Sequence, residues 1–319
     1  MPDNSNEFSS RDPVTPAPAI DEWSVLLDLA LAEDIGSGDL TSALVVDADR
    51  VGRARIEARE QMIVCGLPIV REVFARVDDR LEIEACADIV DGTLVQAGQP
   101  LLRAHGSYAS ILTAERTALN FLGRLCGIAS QTRRLVDEVA DLSVDLVDTR
   151  KTTPGWRRLE KYAVAIGGGV NHRIGLFDAL LVKDNHIAAV DSLDIAVQRA
   201  VSKAPAGVPV QVEVESEAMA DRAVELGCGF LLLDNLDPET IRRIVARHAP
   251  RIVLEASGGI GPHNLRAYAE TGIARISMGA LTHSVISMDV ALEVDLLPAT
   301  PSPRPDSDAP SGGVQRERR

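Results

Sequence analysis

The chain has little of what several protein classes require. Aromatic residues make up only 3% of its 319 residues, too few for the stacking platforms that bind single-stranded nucleic acid. Positive charge is outnumbered: 33 Lys and Arg stand against 47 Asp and Glu, a net charge of −14. That balance argues against a nucleic-acid or anionic-membrane partner, which needs a positive field. No apolar run approaches the roughly 20 residues of a membrane helix. The N-terminal residues MPDNSNEFSSRDPVTPAPA lack the apolar core of a secretory signal. There are four cysteines, Cys65, Cys86, Cys126 and Cys228, and no CxxC pair. They read as free thiols of a reducing, cytoplasmic protein. Nor is there a GxGxxG or GxxxxGK[ST] motif, so a dinucleotide or P-loop site lacks its fingerprint.

What is present is a sizeable apolar fraction, 45%, and a change of rhythm along the chain. Residues 1–20 and 293–319 are rich in Pro, Ser and Asp and are expected to be disordered tails. Between them the spacing predicts a first helix from Asp21, with Trp23, Leu26, Leu27, Ala30 and Leu31 on one face and Gly36 at its end. Ala54, Ile56 and Ala58 alternate, as do Leu81, Ile83, Ala85 and Ala87, which predicts half-buried strands. A helix is expected at Pro68–Val77. A long one is expected from Tyr108 to Val139, with Gly123 and Gly127 as candidate breaks. After residue 140, six short apolar runs (144–148, 178–182, 208–214, 229–234, 251–256 and 274–278) alternate with amphipathic stretches. That pattern means parallel strands covered by helices, and the number of units favours a closed or nearly closed barrel over a doubly wound sheet.

Each run ends in polar residues: Asp148-Thr149-Arg150-Lys151-Thr152, Lys183-Asp184-Asn185-His186, Glu215-Ser216, Asp234-Asn235, Ser257-Gly258-Gly259 and Ser277-Met278-Gly279. In a parallel barrel these ends share the C-terminal rim, where such folds keep their active sites. From Asp148 to His186 the chain carries seven Lys or Arg and four Asp or Glu. Cations gathered at one rim repel one another unless an anion joins them, which points to a small, multiply anionic ligand. Arg150 and Lys151 follow a strand directly. His172 and Arg173 sit in the Gly-rich loop GGGVNHRIG. Lys183 emerges from the barrel wall, or else pairs with a strand-end acid. Arg157, Arg158 and Lys161 read as a solvated helix face. Glu215 and Asp234 end successive strands and suit Mg²⁺ or sugar hydroxyls, with Glu213 a second acidic contact. The two Gly loops, Ser257–Gly259 before a helix at Pro262 and Ser277–Gly279, suit a phosphate.

The stretches TAERTALNFLGRLCGIAS, DTRKTTPGWRRLEKYAVAIGGGVNHRIGLFDALLVKDNHI, VEVES, LLLDN, EASGGI and ISMGALTHS together resemble quinolinate phosphoribosyltransferase, over about residues 21–290. The resemblance implies the type II phosphoribosyltransferase architecture: an N-terminal α/β sandwich, here 21–128, and an open, seven-stranded-type α/β barrel, here 129–292. It implies quinolinate and phosphoribosyl pyrophosphate as substrates, Mg²⁺ as cofactor, and nicotinate mononucleotide, pyrophosphate and CO₂ as products, in NAD synthesis. It implies a homodimer in which one subunit closes the barrel mouth of the other. By resemblance Arg116 reaches the site across that interface and, with Arg150, His172, Arg173 and Lys183, holds the quinolinate carboxylates. Lys151, Glu215 and Asp234 serve the phosphoribosyl side and its metal, Ser257, Gly258, Gly259, Ser277 and Gly279 the 5′-phosphate, and Thr152 is a further substrate contact. Other readings remain open: a molybdenum-associated relative, a transferase for another pyridine carboxylate, a Schiff-base aldolase using Lys183, or a non-catalytic sensor that kept the pocket.

Overall fold

A computed structural model of the chain describes residues 16–249 and 251–295. Twelve strands occur among them, in chain order: β1 (Val51–Ala58), β2 (Met62–Ile63), β3 (Glu82–Ala85), β4 (Leu94–Val95), β5 (Pro100–Ser107), β6 (Asp145–Val147), β7 (Leu180–Val182), β8 (Val210–Val214), β9 (Phe230–Asp234), β10 (Val253–Ser257), β11 (Arg275–Ser277) and β12 (Val290–Asp295). Most of the expected tails, 1–15 and 296–319, lies outside the described residues.

The N-terminal unit is an antiparallel sheet in the order β12-β1-β5-β3. Alternation works as expected in β1, where Ala54, Ile56 and Ala58 are buried. The first helix, Ser24–Ile35, stops at Gly36, whose φ of 54° is a left-handed value that glycine adopts without a Cβ penalty. Helix Leu67–Val77 packs against the long helix Tyr108–Glu138.

Two features differ from the sequence reading. The chain from 293 onward is not all tail. Strand β12 leaves the barrel region and pairs antiparallel with β1, Val294 opposite Ala54, so the last described residues complete the first domain's sheet. The long helix is also unbroken for 31 residues. Gly123 and Gly127 serve the returning chain instead. A Cβ on Gly123 would lie 2.8 Å from Met288 O, and one on Gly127 would overlap Ile286 O. The Met288 amide donates to Gly123 O at 3.0 Å, which pins the crossing.

The second unit is a parallel sheet in the order β6-β11-β10-β9-β8-β7. A seventh position is reduced to one residue, Val170, bridged in parallel to Val147. The barrel is therefore open between Val170 and β7, because the chain after the glycines Gly167–Gly169 gives only this one bridge.

Inside and outside differ in chemistry. Leu146, Val212, Val214, Leu231, Leu233, Leu254, Ala256 and Ile276 join the apolar core under the helices. The alternate residues face inward, and register places Gln211, Glu213, Glu255, Arg275 and Ser277 among them. All five are buried. Barrel interiors are usually filled by branched apolar side chains; this one is largely polar beneath its rim.

Candidate active site

Strand register brings the expected rim together. Ser257 pairs with Asp234, Val214 with Leu233 and Ser277 with Val147. Glu215, Asp234, Ser257 and the Ser277–Gly279 loop thus end adjacent strands, which lie about 4.8 Å apart in a sheet. Lys151 closes the circle: its Cδ lies 3.0 Å from where a Gly279 Cβ would stand, and its carbonyl accepts from Thr282 Oγ1 at 2.9 Å.

The loop after β6 is built on a buried ion pair. Asp148 is wholly buried and accepts from Lys161 Nζ, from Asn171 Nδ2 at 2.7 Å and from the His172 amide at 2.8 Å. Burial pushes the Asp148 carboxyl up and the Lys161 ammonium down, and each charge opposes the other's displacement. Lys161 also donates to His172 O at 2.9 Å. The expectation of a solvated face for this helix is therefore wrong. Lys161 is buried, Arg157 donates to Thr152 Oγ1 at 3.0 Å and Ile174 O at 3.0 Å, and Arg158 pairs with Glu22 at 2.9 Å. On the same helix Glu160 is buried, holding Arg124 and the Thr153 amide. Lys161, Arg157 and Glu160 shape the two loops, and Arg158, its side chain 40% exposed, keeps a solvated side.

Arg150 and Arg173 are two cations left for a ligand. Arg150 Nε is buried without a hydrogen-bond partner among the described residues. Arg173 spends one nitrogen on Ala179 O at 3.0 Å. Burial, followed by the charge of Arg150, lowers its guanidinium from the ordinary value. Two guanidiniums that feel each other at a half-buried rim suit a dianion. Lys183 is partly committed, since Nζ donates to Glu213 Oε2 at 2.5 Å. Glu213 is thus its ion-pair partner.

His172 departs from the expected cation. Its Nδ1 accepts the Arg173 amide at 2.8 Å, and its Nε2 lies 3.0 Å from Gln211 Oε1. Burial, with the charges of Arg275 and Lys161, pushes the imidazole down to about 4, so it is neutral at pH 7. Below it, Glu255 is buried against Arg275, Oε2 to Nε 3.3 Å, and burial pushes its carboxyl up to about 7. Gln211, Glu255 and Arg275 were missed from the sequence.

The Gly loops are shaped as expected in one respect. Gly258 has φ 93°, and a Cβ there would stand 2.7 Å from Asn235 N, so only glycine fits. Gly259, at φ 64°, is also left-handed. The helix expected at Pro262 begins only at Leu265 and lasts five residues, because Asn264 closes a turn on Gly261 N and Gly259 O first. Ser277 is buried and donates to Ala256 O at 3.3 Å, and Met278 is buried with its amide on Val147 O at 2.9 Å, which leaves Gly279, half-buried, as the accessible part of that loop.

Glu215 is exposed and Asp234 half-buried at neighbouring strand ends. No group of three or more His, Cys, Asp or Glu able to hold a metal occurs among the described residues. Arg116 sits on the long helix beside Asn120, Arg124, Trp156 and Met288, around a cavity of about 330 Å³. Its side chain is 64% exposed, and its nearest carboxylate is Glu115 at 4.0 Å. The thiols match expectation: Cys65, Cys126 and Cys228 are buried and free, and burial holds Cys126 up at about 12. No helix among the described residues is long and apolar enough to cross a membrane.

An open parallel barrel joined to an N-terminal antiparallel sheet domain, with cations, two carboxylates and Gly loops on one rim, defines a type II phosphoribosyltransferase. Residues 39–126 match the N-terminal domain and residues 128–293 the C-terminal domain of quinolinate phosphoribosyl transferase. The chain belongs to that family. It is 41% identical over 271 residues to the probable nicotinate-nucleotide pyrophosphorylase [carboxylating] of Bacillus subtilis, covering 85% of this chain and 93% of that one. It is 40% identical over 269 residues to the nicotinate-nucleotide pyrophosphorylase [carboxylating] of Mycobacterium leprae, 83% and 94% covered. The solved structure of the Francisella tularensis nicotinate-nucleotide pyrophosphorylase superposes with a TM-score of 0.82 at 38% identity, covering 88% of this chain and all of that one.

Proposed function

We propose that the rim holds quinolinate on Arg150, Arg173 and Lys183, and phosphoribosyl pyrophosphate on Lys151, Thr152, Glu215, Asp234 and the loops Ser257–Gly259 and Ser277–Gly279. The observation that carries this reading is the pair Arg150 and Arg173, half-buried, electrostatically opposed and incompletely partnered. As a member of its family the chain transfers the phosphoribosyl group to quinolinate with decarboxylation, the reaction classed as EC 2.4.2.19, in NAD biosynthesis. The free, buried thiols Cys65, Cys126 and Cys228 support a reducing, cytoplasmic site for it.

The rim chemistry supports each step. The arginines fix the two carboxylates and so aim the pyridine nitrogen at ribose C1. The nitrogen lone pair forms the new bond as the bond from C1 to pyrophosphate breaks, through an oxocarbenium-like state. Glu215 and Asp234 stabilise the positive sugar, and Lys151 the departing oxygens. The 2-carboxylate then leaves as CO₂; its electron pair stays on C2 beside the pyridinium nitrogen, and C2 takes a proton from water. Two carboxylates at neighbouring strand ends fit Mg²⁺, which takes one or two protein ligands and fills its shell with phosphate and water. Glu215 and Asp234 would hold it, and it would neutralise charge on the pyrophosphate.

A second copy of the chain completes the pocket. Exposed apolar residues support this: Leu40, Leu44 and Val45 on the N-terminal unit, and Leu176 and Phe177 beside the Arg173 loop. Arg116, exposed and with no carboxylate nearer than Glu115 at 4.0 Å among the described residues, is the cation such a dimer would donate. The test is pyrophosphate release with quinolinate, with nicotinate as control, each with and without Mg²⁺. Release that needs quinolinate and Mg²⁺, with matching CO₂, is the expected result; equal release with nicotinate would overturn the reading.

A further inference from the structure

His172 does not meet the expected role of a charged ligand, and the reason lies one layer below the rim. Val170 pairs with Val147, and His172, two residues on, turns its ring into the barrel interior. Four contacts hold it. Its amide donates to Asp148, its carbonyl accepts from Lys161, its Nδ1 accepts the Arg173 amide, and its Nε2 faces Gln211 Oε1. The Arg173 N–H at 2.8 Å leaves no room for a proton on Nδ1. The single ring proton is therefore on Nε2, and the group 3.0 Å away must accept it. That decides the Gln211 amide as well: its oxygen, not its nitrogen, faces the ring.

We infer that Gln211 is a positioning residue for quinolinate binding: its amide oxygen fixes the His172 imidazole as the Nε2–H tautomer, and the imidazole sets the backbone of Arg173. The inference rests on the placement of quinolinate at Arg150 and Arg173. The groups facing the ring are Gln211 from β8, Glu255 from β10 at 3.5 Å, Arg275 from β11, Lys161 from the helix Arg157–Ile166, and Arg173 beside it. Among the described residues Gln211 is the one that hydrogen-bonds Nε2, with Glu255 farther off at 3.5 Å. Glu255 stands behind it, with Arg275 3.3 Å from its other oxygen. From Arg173 Cα outward the loop is tied by Ala179 O and by Asp178, which accepts from the Ile174 and Gly175 amides at 2.6 and 2.9 Å. Turning the imidazole would release the tie that His172 Nδ1 places on the Arg173 amide and let the guanidinium swing.

The consequence falls on one substrate. Arg173 meets a carboxylate that is present before and during the chemical step, so loosening it weakens ground state and transition state alike. In the full-length enzyme, Gln211→Leu keeps the volume and removes the acceptor. It should raise the KM for quinolinate about tenfold, the scale of one charge-assisted contact, with kcat and the KM for phosphoribosyl pyrophosphate unchanged. Gln211→Glu keeps an acceptor oxygen and should restore the quinolinate KM. A quinolinate KM unmoved by Gln211→Leu, or both KM values rising together, would overturn the proposal. The wild-type protein gives a test that does not depend on a variant folding. Nitrogen-15 NMR of the ring, assigned by its loss in His172→Gln, should show a neutral Nε2–H imidazole at pH 7. An Nδ1–H tautomer or an imidazolium overturns it. Wild-type protein that fails to turn over quinolinate would count against the active-site reading; turnover with an unaffected Gln211→Leu would count against this inference alone.

Discussion

The buried pair His172 and Glu255 should make stability nearly independent of pH across a window where each residue alone would not. Burial moves the imidazole from its usual 6.5 down to about 4 and the carboxyl from 4.5 up to about 7. Stability rises with pH wherever the unfolded chain binds more protons than the folded one. Between about pH 4.5 and 6.5 the unfolded chain carries a proton on His172 and none on Glu255. The folded chain carries one on Glu255 and none on His172. Each state holds one proton, so the slopes cancel, whichever of the two holds it in the folded pair. Each displacement taken alone weighs about 3 kcal/mol.

Single substitutions should expose the two halves with opposite signs. In Glu255→Gln only the imidazole remains, and its folded value lies below its unfolded one. Stability should then be full above pH 6.5 and fall as pH drops toward 4, by about 3 kcal/mol. In His172→Gln only the carboxyl remains, and its folded value lies above its unfolded one. Stability should then be full below pH 4.5 and fall as pH rises through 7, by a similar amount. Urea unfolding at half-unit intervals from pH 4 to 8 reads all three proteins. Parallel profiles for the two variants, or a wild-type profile as steep as either, would refute the reasoning.

Three further outcomes follow from the same geometry. Lys161→Met leaves the Asp148 carboxylate buried with one donor fewer and should cost about 3–5 kcal/mol in urea unfolding, whereas a loss under 1 kcal/mol would mean that solvent reaches Asp148. Gly127→Val drives a side chain into Ile286 O and should lower stability by about 1–3 kcal/mol, with hydrogen exchange rising first in β12; unchanged exchange there would remove the packing role given to this glycine. Lys151→Ala and Arg116→Ala should each fold and lose most turnover, and an equimolar mixture allowed to exchange subunits should regain about a quarter of it, since half the dimers then carry one intact site of two; a mixture as inactive as its parts would place Arg116 in its own subunit's pocket.

What the sequence made legible was whatever repeats or ends a repeat. The six apolar runs became β6 to β11, and their polar ends became the rim, because a parallel sheet puts all its C-terminal ends on one side. What it hid were relations between distant segments. Nothing local marks Val290–Asp295 as the partner of Val51–Ala58, since an edge strand of one sheet is chosen by where the chain returns. Gly123 and Gly127 look like helix breakers until the crossing segment Ile286–Met288 is in place. The barrel interior is the informative case, for a signal was there. Glu255 interrupts the apolar run of β10 at the parity of Ser257, Arg275 that of β11 at the parity of Ser277, and Gln211 has the parity of Glu213 and Glu215. Each buried polar residue shares a strand face with a rim residue two places on. In a barrel that parity means the interior, and a buried charge there needs a partner on a neighbouring strand. The rim residues touch substrate and can be recognised by their type. The layer below is recognised only by asking which charges the rim stands on.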